Sequence, residues 1–188
     1  VFTVTVNPIN DAPAFATSGD LTLDEDFPGT ETVTVTPAAV PADEAGQTVT
    51  YTISPTTVAF ATVAIDEDTG TVSIDAVADA DGTQLFTITA NDAQAAHNTA
   101  TATFTLTVGT VDDAPTVANA IADVVVDEDA ADTVIDLADV FTDVDNDDTA
   151  IAKAVLTNTD TDLVAATIVD DELTLDYQPD ANGSATIT

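Results

Sequence analysis

Threonine or serine alternates with valine, isoleucine, leucine or phenylalanine along much of this chain. In Thr48–Ile53 (TVTYTI), Val49, Tyr51 and Ile53 share one face and the threonines take the other. The same period of two runs through Glu31–Thr36, Thr71–Asp75, Leu85–Ala90 and Ala100–Val108, and Leu21–Leu23 and Val58–Ile65 add two short apolar runs. A period of two predicts strands with one buried face. Threonine suits the outer face because its branched Cβ favours extended backbone while its hydroxyl meets water. Pro28-Gly29, Asp68-Thr69-Gly70 and Asp81-Gly82 punctuate the runs as turns. No segment has a helical period. About seven short antiparallel strands between Ala14 and Val108 predict a Greek-key β-sandwich.

The pattern then repeats. Val1–Pro13 (VFTVTVNPINDAP) returns 102 residues later as Thr103–Pro115 (TFTLTVGTVDDAP), with Phe2 on Phe104, Val4 on Leu106 and Val6 on Val108. A strand followed by an acidic, proline-ended junction at domain spacing predicts tandem all-β sandwich domains of seven strands each, end to end. The expected division is residues 1–13 as the last strand and linker of a preceding repeat, 14–113 as a complete repeat, and 114–188 as a second repeat that is C-terminally incomplete. In the second repeat the strands fall at Val124–Val126, Thr133–Leu137, Ile151–Leu156, Leu163–Val169, Leu173–Tyr177 and Ser184–Thr188. With no Met in the chain, Val1 reads as an internal position of something longer. Val1–Val6 has two readings: one piece of a longer array, or a strand given to a neighbouring copy's second repeat. The second repeat looks short of two strands, whereas Val1–Val6 supplies one.

Charge narrows the partners. There are 35 acidic residues against Lys153 alone, a formal net charge of −34. Such a surface repels nucleic acid, which is bound through Lys and Arg on phosphates, and it repels anionic membrane surfaces. The longest apolar runs fall far short of a bilayer span, so no direct membrane insertion is expected. Cations are the natural partners. Solubility at high salt would account for scattered acids, but many here are clustered. Cysteine is absent, which excludes disulfides and thiol chemistry and is compatible with secretion from bacteria.

The clusters carry a family resemblance. Ala64-Ile65-Asp66-Glu67-Asp68-Thr69-Gly70-Thr71-Val72 resembles the I-D-x-x-T-G-x-I/V segment of cadherin repeats, and Ala90-Asn91-Asp92 resembles their A-x-D segment, with Gln94 where glycine is usual. Asn10-Asp11-Ala12-Pro13 and Asp112-Asp113-Ala114-Pro115 resemble the D-x-N-D-x-x-P junction, shortened by one residue. Asp143-Val144-Asp145 resembles the D-x-D element, and Leu23–Asp26 and Val126–Asp129 the early acidic element. The whole chain is covered, and it is similar to the cadherin-like and Ig-like tandem repeats of giant bacterial, RTX-type surface adhesins. The resemblance implies extender domains outside the cell, with Ca2+ at the junctions holding neighbouring repeats in line. It implies Glu25, Asp79 or Asp81, Asp112, Asp113, Asp143 and Asp145 as ligands at the middle junction. At the junction before it, Asn7, Asn10 and Asp11 would be joined by Asp43, Glu44 and Asp92. The linker position that holds Asn in the family is Val111 or Asp112 here, and Asp79-Ala80-Asp81 matches D-R-E poorly, which points to one or two ions rather than three.

Elementary coordination chemistry leads the same way. Calcium takes six to eight oxygens, more than one sandwich loop offers, whereas a junction gathers loops from two domains. Asp143–Asp148 (DVDNDD) also admits a solvated acidic turn, and it lacks the Gly and closing Glu of an EF-hand. No catalytic set is visible: His97 is the only histidine and reads as a solvated loop residue, no Ser lies in G-x-S-x-G, and Trp is absent. An enzyme is therefore not expected. The leading expectation is a structural extender of a secreted, cell-surface adhesin. The alternative is a subunit of a self-assembling extracellular filament or surface layer, whose partners are other copies.

Overall fold

The alternating segments do form strands, and the molecule is all-β; its helical content is one 3-10 turn, Asp148–Ala150. The computed structural model describes Val1–Thr188 as two compact units, Val1–Val111 and Asp112–Thr188. No helix is long and apolar enough to cross a membrane.

Unit 1 contains β1 (Phe15–Thr17), β2 (Leu21–Asp24), β3 (Thr30–Val33), β4 (Val35–Pro37), β5 (Thr50–Ser54), β6 (Ala61–Ile65), β7 (Val72–Ala76), β8 (Gly82–Asn91) and β9 (Thr99–Gly109). One sheet has the order β2-β9-β8-β5, another β3-β7-β6, and β1 pairs with β4. Every pair is antiparallel except β2 with β9, which runs parallel with Leu21 beside Leu106 and Leu23 beside Val108. Two details differ from expectation. β1 is an added strand, and Glu31–Thr36 is split at Thr34. There Thr34 exchanges bonds with Ser18 (N–H to Ser18 Oγ at 3.2 Å, Ser18 N–H to Thr34 O at 2.9 Å), so the strand leaves β7 and continues against β1.

Inward residues of both sheets make the core: Val33, Val72, Ile74, Phe86, Ile88, Phe104 and Leu106 are all but sealed from solvent. Phe86 and Phe104 face each other across β8 and β9, their rings stacked at 5.2 Å and 13°. The Asp66–Thr71 hairpin turn is closed by Asp66 Oδ1, which accepts from Thr69 N–H at 2.8 Å, Thr69 Oγ1 at 3.0 Å and Asp68 N–H at 3.0 Å. The Thr69 amide, then its hydroxyl, holds the Asp66 carboxyl below its ordinary value. Gly70 follows at φ +71°, where a Cβ would sit 2.9 Å from the Tyr51 ring, so the turn admits only glycine.

Unit 2 contains β10 (Thr116–Val117), β11 (Thr133–Asp136), β12 (Phe141–Thr142), β13 (Val164–Val169) and β14 (Glu172–Tyr177). Its sheet β11-β14-β13 repeats β3-β7-β6, and β10 with β12 repeats β1 with β4. Its buried core is smaller: Leu137, Val140, Val164, Leu173 and Leu175. Lys153, the one basic side chain, is buried beside Asp171 with Nζ 2.8 Å from Oδ1.

Three segments expected as strands in unit 2 are not strands. Val124–Val126 and Ile151–Leu156 join no sheet, and Ser184–Thr188 forms only a bridge, Asn158 to Ile187. The reason is visible in unit 1, where β2 and β8 both lie against β9 and β5 lies against β8. No strand stands at the place of β9 in unit 2. Alternation prepares an edge for pairing, but a ladder needs the second edge. Val1–Val6 likewise forms no strand, with Phe2, Val4 and Val6 exposed.

Candidate metal centre

Acidic side chains gather where each unit meets its linker. At the trailing end of unit 1, β2 stops at Asp24 because the next residue turns to hold the chain after β9. Glu25 N–H donates to Gly109 O at 2.8 Å, and Glu25 Oε1 accepts Val111 N–H at 2.7 Å. Glu25 is buried, with 5% exposure, despite its charge. Asp26 and Asp79 both adopt left-handed backbone, φ 57° and 54°, which Asp tolerates better than most residues. Asp79 N–H reaches Asp26 Oδ1 at 3.3 Å, and carboxylate oxygens of the two lie within 4.8 Å. Asp81 is exposed just before β8 and takes no hydrogen bond from this group. Asp26 therefore stands beside Asp79; the ligands expected from unit 1 were Glu25 with Asp79 or Asp81. The Leu23-Asp24-Glu25-Asp26 run held that signal.

The leading end of unit 1 is built differently but to the same effect. Asp11 N–H donates to Glu44 Oε1, and Asn10 is fixed on four sides. Its Nδ2 donates toward Asp92 Oδ2 at 3.1 Å, Ala96 O at 3.0 Å and His97 O at 3.1 Å, while its Oδ1 accepts Gln47 Nε2 at 2.8 Å. Glu44 and Asp92 are both buried, at 6% and 3% exposure. Of the Asp43-Glu44 pair, Glu44 turns inward and Asp43 stays exposed. His97 is not merely solvated: its Nδ1 lies 3.3 Å from Asn10 O, so the Asn91–Thr99 loop closes on the linker. Gln47 carries no charge and sits outside any acidic run, so nothing in the sequence marked it.

Unit 2 repeats the arrangement at its own leading end. Asp113 N–H donates to Asp145 Oδ2 at 2.7 Å, as Asp11 N–H does to Glu44. Asn146 Nδ2 donates to Asp112 Oδ1 at 2.9 Å, the counterpart of Gln47 on Asn10. The Asp143–Asp148 turn folds on its own carboxylates. Asp143 Oδ1 accepts the Asp145 and Asn146 amides at 3.0 and 2.9 Å, and Asp148 Oδ1 accepts Asp143 N–H at 2.8 Å. Asp147 closes the 3-10 turn through the Thr149 hydroxyl and amide, at 2.7 and 2.9 Å. These two bonds, the hydroxyl first, lower its carboxyl from the ordinary value. Asp112, Asp113, Asp143 and Asp145 are thus brought together within unit 2. Its trailing end copies that of unit 1: Asp129 Oδ1 accepts Asp180 N–H at 3.0 Å, and both have left-handed backbone.

One device serves each leading end, a linker amide held by a carboxylate, and Glu25 does the same at a trailing end. A carboxylate that holds an amide with one oxygen has lone pairs remaining for a cation. The donors in these groups are oxygens, which suits a hard cation such as calcium and not zinc or copper.

Solved structures similar to this chain include cadherin ectodomains. The Protocadherin GammaB4 extracellular domain aligns over 95% of this chain at 18% identity and TM-score 0.43, the chain spanning 32% of its length. Human Protocadherin-24 EC1-2 aligns over 91% of this chain and 80% of its own, at 16% identity and TM-score 0.43. An endo-fucoidan hydrolase of glycoside hydrolase family 107 aligns over 97% of this chain and 28% of its own, at 14% identity and TM-score 0.38. No family model matches the chain, and no curated protein matches it.

Proposed function

We propose that this chain is a structural extender, a run of β-sandwich units of a secreted cell-surface adhesin that calcium stiffens at the joints. The observation that carries the reading is the pair of clamps on one linker. Glu25 of unit 1 holds the Val111 amide, and Asp145 of unit 2 holds the Asp113 amide. Only Asp112 stands between the clamped residues, so their amides are at most about 7 Å apart along extended backbone. The same short stretch of chain is thus held by Glu25 at one end and by Asp145 at the other. So many carboxylates on a short tether, in a chain with one Lys and no Arg, repel each other unless a cation joins them.

Calcium, when bound, supplies that positive charge. Glu25, Asp26 and Asp79 would hold it from unit 1, and Asp112, Asp113, Asp143 and Asp145 from unit 2. The chain's own task is to present them: Glu25 and Asp145 fix the linker, and Asp143 shapes the turn that carries Asp145. Asn10, Asp11, Glu44 and Asp92 would serve a joint on the other side of unit 1.

Calorimetric titration tests this reading. Saturable calcium binding is expected, with a melting temperature that climbs as calcium is added. A calcium excess of 100 times Kd adds about 2.7 kcal/mol of stability. No binding heat, together with an unchanged melting temperature in millimolar calcium, would refute it.

A further inference from the structure

Acids are spread so densely along this chain, 35 in 188 residues, that long stretches without one stand out. The two longest are Ala45–Ile65 and Ala93–Val111, and they contain β5 and β9. Between those strands in the sheet lies β8, which has no acid either. Three adjacent strands of unit 1 are therefore free of negative charge along their whole length.

Their outer face is mostly threonine. Phe104, Leu106 and Val108 are buried, which turns Thr103, Thr105 and Thr107 of β9 outward. Register extends these into rows: Thr103 stands opposite Thr87 and Thr87 opposite Ser54, while Thr101 stands opposite Thr89 and Thr89 opposite Thr52. Some hydroxyls bond within the face, Thr83 Oγ1 to Thr107 Oγ1 and Thr50 Oγ1 to Asn91 O, each at 3.4 Å. Among the threonines stands Leu85, opposite Thr105 and 55% exposed. Acids come in only at the margins. Asp20 Oδ1 accepts Thr105 N–H at the β2 edge, and Glu67 O accepts Tyr51 N–H beside β5. Strand preference favours threonine but does not exclude acids. Asp75 on β7 and Asp176 on β14 are exposed on the outer faces of the other sheets.

We propose that this threonine face docks on the same face of a second copy of the chain, sheet against sheet about a two-fold axis. Charge selects the occupant. Copies carrying a net charge of −34 repel each other wherever acids meet acids, and here two backbones can approach with no carboxylate between them. A neutral face is complementary to itself, which is what a two-fold contact requires. Leu85 and the threonine methyls supply apolar area, and hydroxyls already bonded within the face lose less on leaving water. Strands of 10 and 11 residues, at about 3.4 Å per residue and about 4.8 Å between neighbours, offer roughly 500 Å² a side. The total of about 1,000 Å² stands at the low end of specific interfaces, so pairing is weak and reversible, with Kd on the order of 100 µM. None of the residues of the face is a proposed calcium ligand, so the pairing is measured in chelator and stands or falls independently of the calcium reading.

The test is sedimentation equilibrium of the full 188-residue chain in chelator, from about 10 µM to about 1 mM, at low and high salt. The average mass should rise from that of one 19.1 kDa copy toward that of two and stop there. Salt should tighten the pairing, about threefold or more in Kd, because it screens the acids outside the face and leaves the neutral contact intact. Thr103→Asp, which puts a carboxylate inside the face, should weaken pairing at least about tenfold. Thr62→Asp, at an exposed threonine of β6 on the other sheet, should leave Kd within about twofold. Wild-type chain gives a reading that needs no variant: amide NMR shifts that change on dilution should fall on β5, β8 and β9 and not on β3, β6 and β7. Monomers at every concentration in high salt would overturn the inference, as would growth past two copies or pairing that weakens with salt. Equal weakening by Thr103→Asp and Thr62→Asp, or dilution shifts centred on the other sheet, would overturn it too.

Discussion

Replacing Glu25 by alanine should cost unit 1 about 2 kcal/mol in chelator and remove tight calcium binding at the Val111–Asp113 linker. Two effects add. Glu25 is buried and accepts the Val111 amide at 2.7 Å, so alanine leaves a donor without its acceptor and loosens the end of the linker. The same change deletes a carboxylate from the proposed cation site. Glu25→Gln separates the two, because the amide oxygen still accepts from Val111 while the charge is gone. Urea unfolding in chelator should find Glu25→Gln near wild type, and calorimetry should find its calcium affinity down by tenfold or more, about 1.4 kcal/mol. If Glu25→Gln binds calcium as wild type does, Glu25 is a linker clamp and nothing more.

Phe86→Ala should destabilise unit 1 by about 3–5 kcal/mol, a large part of the stability an ordinary domain possesses. Phe86 is fully buried and stacked on Phe104, and the position lies in a central strand with no room for solvent to repair the cavity. For a unit of this size each kcal/mol lowers the melting temperature by about 4–8 °C, so calorimetry should show a fall of some 12 °C or more. Phe86→Leu, which leaves a smaller cavity, should cost distinctly less. A Phe86→Ala loss under about 1 kcal/mol would mean that the core is not packed around this pair.

Most of the sandwich of unit 1 was legible because the threonine-apolar alternation states which face is buried along β5, β7, β8 and β9, with Leu85, exposed in β8, as an exception. The same alternation misled at Val124–Val126, Ile151–Leu156 and Ser184–Thr188. Periodicity reports a segment's readiness to pair, not whether a partner edge is beside it. The switch at Thr34 was invisible for a related reason, since it depends on Ser18, a contact between distant positions. The acids of the candidate site were legible in kind, as runs at the ends of the repeats. Their sorting was not: Glu44 turns inward where Asp43 does not, and Asp26 joins Asp79 where Asp81 does not. That choice is made by backbone direction in tight turns, including the left-handed conformations of Asp26 and Asp79. Gln47 and Asn146, which steady the linker residues Asn10 and Asp112, were hidden because a lone amide has no sequence signature.

Calcium stiffening of the joint is tested most directly by small-angle X-ray scattering of the 188-residue chain in millimolar calcium and in chelator. Stiffening predicts a longer, sharply bounded distance distribution in calcium and a shorter, broader one in chelator, with the change reversed on adding calcium back. The same maximum dimension and the same distribution in both conditions would contradict it.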